Sequence, residues 1–259
     1  MPPTLILIRH GKAVHNVEDS KREKPKHLRD PGLTEAGVTD CAQGLRETIK
    51  HDPLAQRAEL IITSPMLRTC ETTLAALDWL IETGVRVEAD ADWQENSDKP
   101  CDTGSNIDEV KSKLSHINHS LKIDFSNVDP AWTNKTAADS PYRFTKKAIL
   151  DRGQRALAKL YSRKEEVIIV VSHSAFMRLG VTGAYYYNGD YRIFTFADRD
   201  DADPEAPYRL VQDERTLNST KETKDLILGE QKSGRRGISP AAPVELGIGL
   251  RDPGEEPAA

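Results

Sequence analysis

Residues 5–11 have the sequence Leu-Ile-Leu-Ile-Arg-His-Gly. Four consecutive apolar residues, two of them β-branched, are typical of a strand that is buried on both faces. The apolar run stops at two adjacent polar side chains, those of Arg9 and His10. Because ligands of an open α/β sheet bind beyond the carboxyl ends of its strands, this stretch predicts both a central strand and a site at its end.

Two more segments end in a similar way. Residues 60–63, Leu-Ile-Ile-Thr, are followed by Ser64 and then by Arg68. Residues 167–171, Val-Ile-Ile-Val-Val, lead to His173 after one more residue. One histidine at a strand end is more often structural, but reactive side chains after three strands favour a functional site.

Helical patterns lie between these strands and indicate the fold class. They cover residues 34–50, the stretch from Pro65 to Gly84, residues 107–119 and residues 144–162. Two strands at residues 190–196 and 208–212 have the pattern of a hairpin. This alternation predicts an α/β fold, a three-layer sandwich with a mostly parallel central sheet and helices on both faces.

The chain divides into a long domain and a short extension. Its length of 259 residues allows one or two domains. We predict an α/β domain over residues 1–217, with a cap inserted at about residues 92–144, where periodicity loosens. Residues 218–259 are predicted to be a C-terminal extension, with a helix at residues 221–231. From Ser233 onward, Gly, Pro, Ala and charged residues indicate a linker or flexible tail.

Composition excludes several classes of protein. The net charge of −5 gives no basic field for nucleic acid, so we expect no nucleic-acid partner. The apolar runs are too short for a signal peptide or a membrane span. Three widely spaced cysteines without a CxxC pair indicate reduced thiols, and hence a cytoplasmic protein. His116 and His119 lack a third ligand, so no metal site is predicted.

The residue types at the strand ends fit phosphate chemistry. A neutral imidazole is a competent nucleophile. The guanidinium groups of Arg9 and Arg68 match tetrahedral phosphate oxygens, and a second histidine can donate to a developing oxyanion. A shielded carboxylic acid, for which Glu95 is the candidate, can protonate the leaving oxygen. Arginines and histidines would bind a carboxylate almost as well, so the residues alone leave both substrate classes open.

Five sequence blocks carry a resemblance to a known family. In chain order they are LILIRHGKAVHN (5–16), DPGLTEAG (30–37), ITSPMLRTCETT (62–73), QENSDKPCDTGS (94–105) and VVSHS (170–174). From about Thr4 to Phe196 the chain resembles the histidine phosphatase superfamily, also called the phosphoglycerate mutase-like family. The block at 94–105 is more similar to the fungal broad-range phosphatase-like members than to the glycolytic mutases.

The resemblance implies a role for each site residue. His10 would be the phosphorylated nucleophile and Glu95 the general acid. Arg9, Arg68 and His173 would complete the phosphate pocket, with Asn16 as a nearby contact. Catalysis would need no metal or other cofactor.

Two positions depart from the best-known members. Lys12 stands where Glu or Gln is common, and Ser174 follows the second histidine where a Gly pair is common. We take both as candidate substrate-binding residues. The added positive charge of Lys12, and of the basic stretch at residues 21–26, would favour an anionic substrate or would belong to a solvated loop.

The leading hypothesis is therefore a metal-independent phosphomonoester hydrolase that acts through a phosphohistidine on a small phosphorylated metabolite. Three alternatives stay open. The fold could serve a non-phosphate reaction on a carboxylated metabolite, a phosphoglycerate mutase-type phosphotransfer, or a non-catalytic scaffold. The sequence leaves open whether the chain forms a homo-oligomer.

Overall fold

A mixed sheet of seven strands forms the middle layer of the part of the chain that the structure describes. The structure is a computed structural model, and it describes residues 1–17, 27–200, 202–203, 205–217 and 242–254. The basic stretch at 21–26 and the predicted helix at 221–231 lie outside the described residues. Among the described helices, none is long and apolar enough to cross a membrane.

The strand order is β4-β3-β2-β5-β1-β6-β7. The first five strands are parallel, β6 is antiparallel to β1, and β7 is antiparallel to β6. The strands are β1 (Thr4–Arg9), β2 (Leu60–Thr63), β3 (Arg86–Ala89), β4 (Ile123–Asp124), β5 (Val167–Ser172), β6 (Tyr191–Phe196) and β7 (Leu210–Gln212). The predicted mostly parallel sheet is confirmed, and so is the hairpin pairing of its last two strands.

The helices differ widely in length. They are α1 (Glu35–Thr39), α2 (Arg46–Lys50), α3 (Leu67–Ala76), α4 (Asp78–Glu82), α5 (Ile107–Leu114), α6 (Lys146–Tyr161), α7 (Ser174–Phe176) and α8 (Glu214–Leu217). π-Helical turns cover Asp40–Leu45 and Met177–Thr182. Short 3₁₀ turns cover Val14–Asn16, Ala55–Arg57, Ala91–Trp93, Pro100–Asp102 and Ser120–Lys122.

Both faces of the sheet are buried, which explains the unbroken apolar runs of β1 and β5. Alternate residues of β1 belong to two separate core clusters: Ile6 and Ile8 lie in one, Leu5 and Leu7 in the other. Side chains from α2 to α5 complete the first cluster, and side chains from α6 and α7 complete the second. The predicted three layers, with helices on both faces, are therefore confirmed.

Two departures from the sequence prediction lie between β3 and α6. Helix α5 ends at Leu114, five residues before the predicted end, and His119 then has a left-handed backbone with φ of 66°. The pairing of β4 with β3 was not predicted, because a two-residue edge strand leaves no periodic pattern. Apolar residues of this stretch, including Phe125 and Trp132, belong to the first core cluster.

The start of α6 is held by residues from the far end of the chain. Thr145 caps it, since its side chain accepts from the third helical N–H. The Lys146 N–H donates to the Arg251 carbonyl (3.0 Å), and the Lys147 N–H donates to the Asp252 carboxylate (2.9 Å). The sequence indicates a flexible tail from residue 233 onward, whereas the structure places residues 242–254 against the main domain.

Helix α6 also lies very close to the π-helical turn after α7. A Cβ atom built on Gly153 would lie 1.9 Å from the carbonyl oxygen of Gly180. Only glycine allows this approach of two backbones. It fixes the distance between α6 and the segment that begins at His173.

Candidate active site

Three adjacent strands bring their polar ends together. In the sheet β1 and β2 flank β5, with Arg9 paired to Ser172 and Thr63 paired to Val171. The residues that follow these strands therefore meet at one edge. The rings of His10 and His173 have centroids 5.1 Å apart, and the His173 Nε2 lies 3.0 Å from the Ser64 hydroxyl.

The His10 ring is held as a neutral base. Its Nδ1 lies 2.7 Å from the Gly11 carbonyl oxygen, which can only accept, so Nδ1 carries the proton. Nε2 then has a lone pair, and it accepts a hydrogen bond from the Arg68 Nε (3.3 Å). Burial, and then the charges of Arg68 and Arg9, lower the pKa of His10 well below its ordinary value of 6.5. The unprotonated nitrogen is the one a nucleophile requires.

Helix α3 stabilises this arrangement through the hydroxyl group of Thr72. The Gly11 N–H donates to the Thr72 hydroxyl (2.9 Å), and that hydroxyl donates to the Arg68 carbonyl oxygen one turn earlier (2.7 Å). Thr72 therefore holds the backbone of Gly11, the residue whose carbonyl orients the His10 ring. All of these groups are buried.

Arg68 is a fully buried cation with its donors divided among three partners. Besides His10, it donates to the Cys101 carbonyl oxygen (2.8 Å) and to the Asp102 carboxylate (3.3 Å). A guanidinium keeps its charge even when buried, so Arg68 brings permanent positive charge to the His10 nitrogen.

Arg9 contacts the segment that follows the π-helical turn at Met177–Thr182. Its Nη1 donates to the Tyr186 carbonyl oxygen (2.8 Å), and burial lowers its pKa. Its Nε is buried and has no hydrogen-bond partner among the described residues. Arg9 therefore has donor capacity left over for an anion.

His173 is also neutral. Burial, followed by the charge of Arg68, lowers its pKa well below 6.5. Within the described part of the chain, its buried Nδ1 makes no hydrogen bond. This leaves one ring nitrogen of His173 available to a bound group.

Glu95 is the candidate acid of the site, and the residue is half-buried. One carboxylate oxygen accepts from the N–H groups of Asn96 (2.9 Å) and Phe176 (3.0 Å). Burial, and then the negative charge of Asp102, raise the pKa of this carboxyl. Glu95 therefore keeps its proton to a higher pH than an exposed glutamate does, which suits a general acid.

The predicted substrate-binding residues form different hydrogen bonds in the structure. The Asn16 side chain accepts from the Ala13 N–H (3.1 Å) and from the Asn188 amide (3.3 Å). The Ser174 hydroxyl donates to the Tyr186 carbonyl oxygen (3.2 Å), next to the contact of Arg9. For Lys12, the hydrogen bonds that the structure shows are those of its carbonyl oxygen with Thr34.

Sequence reasoning did not find several residues that support the site. Asn188 donates from one amide nitrogen to the carbonyl oxygens of His10 (3.2 Å) and Gly11 (3.0 Å). Asp102 lies inside the sequence block at 94–105, and its place in that block is the signal by which sequence reasoning could have found it. Arg152, buried on α6, donates to the Gln94 carbonyl oxygen (2.9 Å).

Potential metal ligands are scattered. Among the described residues, no group of three or more His, Cys, Asp or Glu side chains is arranged to hold a metal ion. His119 lies 3.5 Å from the Glu82 carboxylate. Cys41, Cys70 and Cys101 are buried thiols.

Comparison with known proteins identifies the class. The histidine phosphatase superfamily (branch 1) matches residues 5–189, and the chain belongs to this superfamily. A phosphoglycerate mutase-like protein of Arabidopsis thaliana is 27% identical over 203 residues, covering 67% of this chain and 72% of the relative. Phosphoglycerate mutase-like protein 1 of the same plant is 26% identical over 200 residues, covering 67% and 69%.

Among solved structures, the chain is similar to a phosphoserine phosphatase mutant from Entamoeba histolytica in complex with phosphoserine. The TM-score is 0.42 at 17% identity, and the match covers 81% of this chain and 94% of that one.

Proposed function

We propose that the chain is a phosphomonoester hydrolase that acts on a small phosphorylated metabolite through a phosphohistidine at His10. Membership of the superfamily supports phosphatase activity in the broad sense. The observation that carries the finer proposal is the His10 ring. Its Nδ1 is bonded to the Gly11 carbonyl, and its unprotonated Nε2 faces the Arg68 guanidinium.

In the first step, the Nε2 lone pair of His10 attacks the phosphorus atom. A P–N bond forms while the bond from phosphorus to the leaving oxygen breaks, and the proton of Glu95 passes to that oxygen. The raised pKa of Glu95 keeps this proton in place to a higher pH than an exposed glutamate would. The products are the free alcohol, a phosphohistidine and a Glu95 carboxylate.

The charge of the transferring phosphoryl group is met by fixed donors. Arg68 and Arg9 supply permanent positive charge to its non-bridging oxygens. In the proposal, the Ser64 hydroxyl donates to the Nε2 of His173 and so keeps the proton on Nδ1. That Nδ1–H, buried and without another hydrogen-bond partner among the described residues, donates to a third oxygen.

In the second step, water attacks the phosphohistidine. The Glu95 carboxylate takes a proton from the water as the P–O bond forms and the P–N bond breaks. Inorganic phosphate leaves, the His10 lone pair is restored and Glu95 is again protonated. This cycle uses only side chains of the chain itself, so hydrolysis is expected to continue in the presence of EDTA.

The test is the substitution His10→Ala, assayed with p-nitrophenyl phosphate and with a panel of phosphorylated metabolites. We expect loss of phosphate release, and loss of acid-labile ³²P incorporation from a labelled substrate, with EDTA absent or present. His51→Ala is the matched control, because that side chain lies at the end of α2 and is exposed. Near wild-type turnover in the His10 variant would show that His10 is not the nucleophile.

The other candidate functions give distinct results in the same assay. Transfer of label to a second hydroxyl of the substrate, in place of release, would indicate a mutase. Failure of the wild-type protein to hydrolyse any ester or to incorporate label would favour a carboxylated substrate or a binding role.

A further inference from the structure

Lys135 is a buried lysine in the irregular stretch between β4 and α6. Its residue is only 4% exposed. The Nζ atom donates to three backbone carbonyl oxygens, those of Glu95 (2.5 Å), Ser97 (3.0 Å) and Asp102 (2.5 Å). A lysine in a polar loop usually extends into water, so enclosure of this one needs an explanation.

The number of acceptors matches the number of ammonium protons. A protonated lysine has three N–H donors and no acceptor, and each carbonyl oxygen around Nζ takes one of them. An uncharged amine has two donors and a lone pair, and the lone pair would face a carbonyl oxygen. The three carbonyl oxygens are therefore placed to accept all three protons of the ammonium form of Lys135, which joins three points of one loop, residues 95–102.

That loop carries two groups of the candidate active site. Glu95 is at its start, and Asp102 is at its end, where its carboxylate accepts from the Arg68 guanidinium (3.3 Å). The Ser97 hydroxyl donates to the other carboxylate oxygen of Asp102 (2.6 Å). The single ammonium thus sets the distance between the acid and the partner of the phosphate-binding arginine.

We propose that Lys135 is a positioning residue for the general acid: it holds the loop at residues 95–102 so that Glu95 reaches the leaving oxygen. This rests on the proposed phosphatase function. Lys135 itself touches no reacting atom in this scheme, because its donors are all used by carbonyl oxygens.

The charge of Lys135 also acts on Glu95. The charged groups that face its Nζ are Asp102 and Glu95 on the loop, Arg68 on α3 and Arg152 on α6, and burial lowers its pKa to about 7. The positive charge of Lys135 lowers the pKa of Glu95, against the larger effect of burial that raises it. Removing that charge should therefore move the alkaline limit of activity to higher pH.

The experiment compares Lys135→Met and Lys135→Gln with the wild type, using an alkyl phosphate and p-nitrophenyl phosphate. The alkoxide leaving group needs a proton, whereas p-nitrophenolate leaves as an anion. Because a misplaced general acid costs on the order of 100-fold, kcat for the alkyl ester should fall about that much and kcat for the aryl ester far less. Glu95→Gln should give the same selective loss, and Lys147→Met, at an exposed lysine, should give none.

Two further readouts separate this role from general damage to the fold. The alkaline limb of the kcat profile for the alkyl ester should move to higher pH in both variants. Hydrogen exchange of the Asn96 and Asp102 amides should become faster, while exchange in β5 is unchanged. The glutamine variant keeps two donors, so it provides the measurement if the methionine variant does not fold.

The possible results separate the positioning role of Lys135 from the proposed phosphatase function. Equal losses for the two esters, an unmoved pH profile or unchanged exchange at residues 95–102 would overturn the positioning role. Wild-type protein that hydrolyses neither ester would overturn the proposed function, and the positioning role of Lys135 with it. Selective loss with faster loop exchange supports both.

Discussion

The substitution Thr72→Val tests whether α3 holds His10, the proposed nucleophile, through the backbone of Gly11. Valine has nearly the shape of threonine but cannot accept the Gly11 N–H, which lies 2.9 Å from the hydroxyl in a buried position. A buried donor left without a partner costs about 1–3 kcal/mol. The lost bond from the hydroxyl to the Arg68 carbonyl adds little, because such bonds within a helix contribute almost nothing to stability.

Thr73→Val, one residue along the same helix, is the matched control. Its hydroxyl donates to the Thr69 carbonyl (2.9 Å) and lies 3.2 Å from the Thr63 hydroxyl. Among the described residues, no backbone N–H donates to it. The difference in the free energy of unfolding between the two variants therefore measures the contribution of the hydrogen bond from the Gly11 N–H.

Urea unfolding of both variants measures this difference. We expect Thr72→Val to be less stable than Thr73→Val by about 2 kcal/mol at an unchanged denaturant slope. Hydrolysis of p-nitrophenyl phosphate should also fall only in the first, because the Gly11 carbonyl orients the His10 ring. Stabilities that agree within about 0.5 kcal/mol would refute the reasoning, since a buried N–H without a partner costs at least about 1 kcal/mol.

Two more predictions concern stability. Burial and the charge of Arg68 lower the pKa of His10 and His173 below the ordinary 6.5, so the unfolded chain binds more protons than the folded one at acid pH. The free energy of unfolding should therefore decrease as the pH falls below 6.5, and a His10→Gln, His173→Gln variant should show a smaller decrease; an equal pH dependence would contradict this. Gly153→Ala would place a Cβ atom 1.9 Å from the Gly180 carbonyl, and it should lower the free energy of unfolding by about 1–3 kcal/mol; an unchanged urea midpoint would contradict the close packing.

The sequence predicts the sheet well because its central strands are buried on both faces. The runs at residues 5–8 and 167–171 occupy adjacent parallel strands, as their composition indicates. The convergence of His10, Arg68 and His173 follows from that topology, since parallel strands end at one edge. What those residues do at that edge stays a prediction until the variants are measured.

The supporting residues could not be predicted, for a physical reason. Lys135 lies in a stretch without periodicity, and nothing in its neighbours distinguishes it from a solvated lysine. Its burial is created by three carbonyl groups that are 33 to 40 residues away along the chain. Asn188 likewise contacts peptides that are 177 and 178 residues away. Such contacts depend on tertiary packing, which a local pattern does not record.

The hydrogen bonds at the start of α6 have a consequence for the order in which the protein is made. Lys147 is paired with Asp252, which is 105 residues further along the chain. At translation rates of about 5–20 residues per second, roughly 5–20 s pass between the synthesis of the two partners. During that interval the amides of Lys146 and Lys147, in the first turn of α6, lack these partners and are hydrated by water. The start of α6 is therefore completed only after residues 251 and 252 have been made, later than every residue of the candidate site.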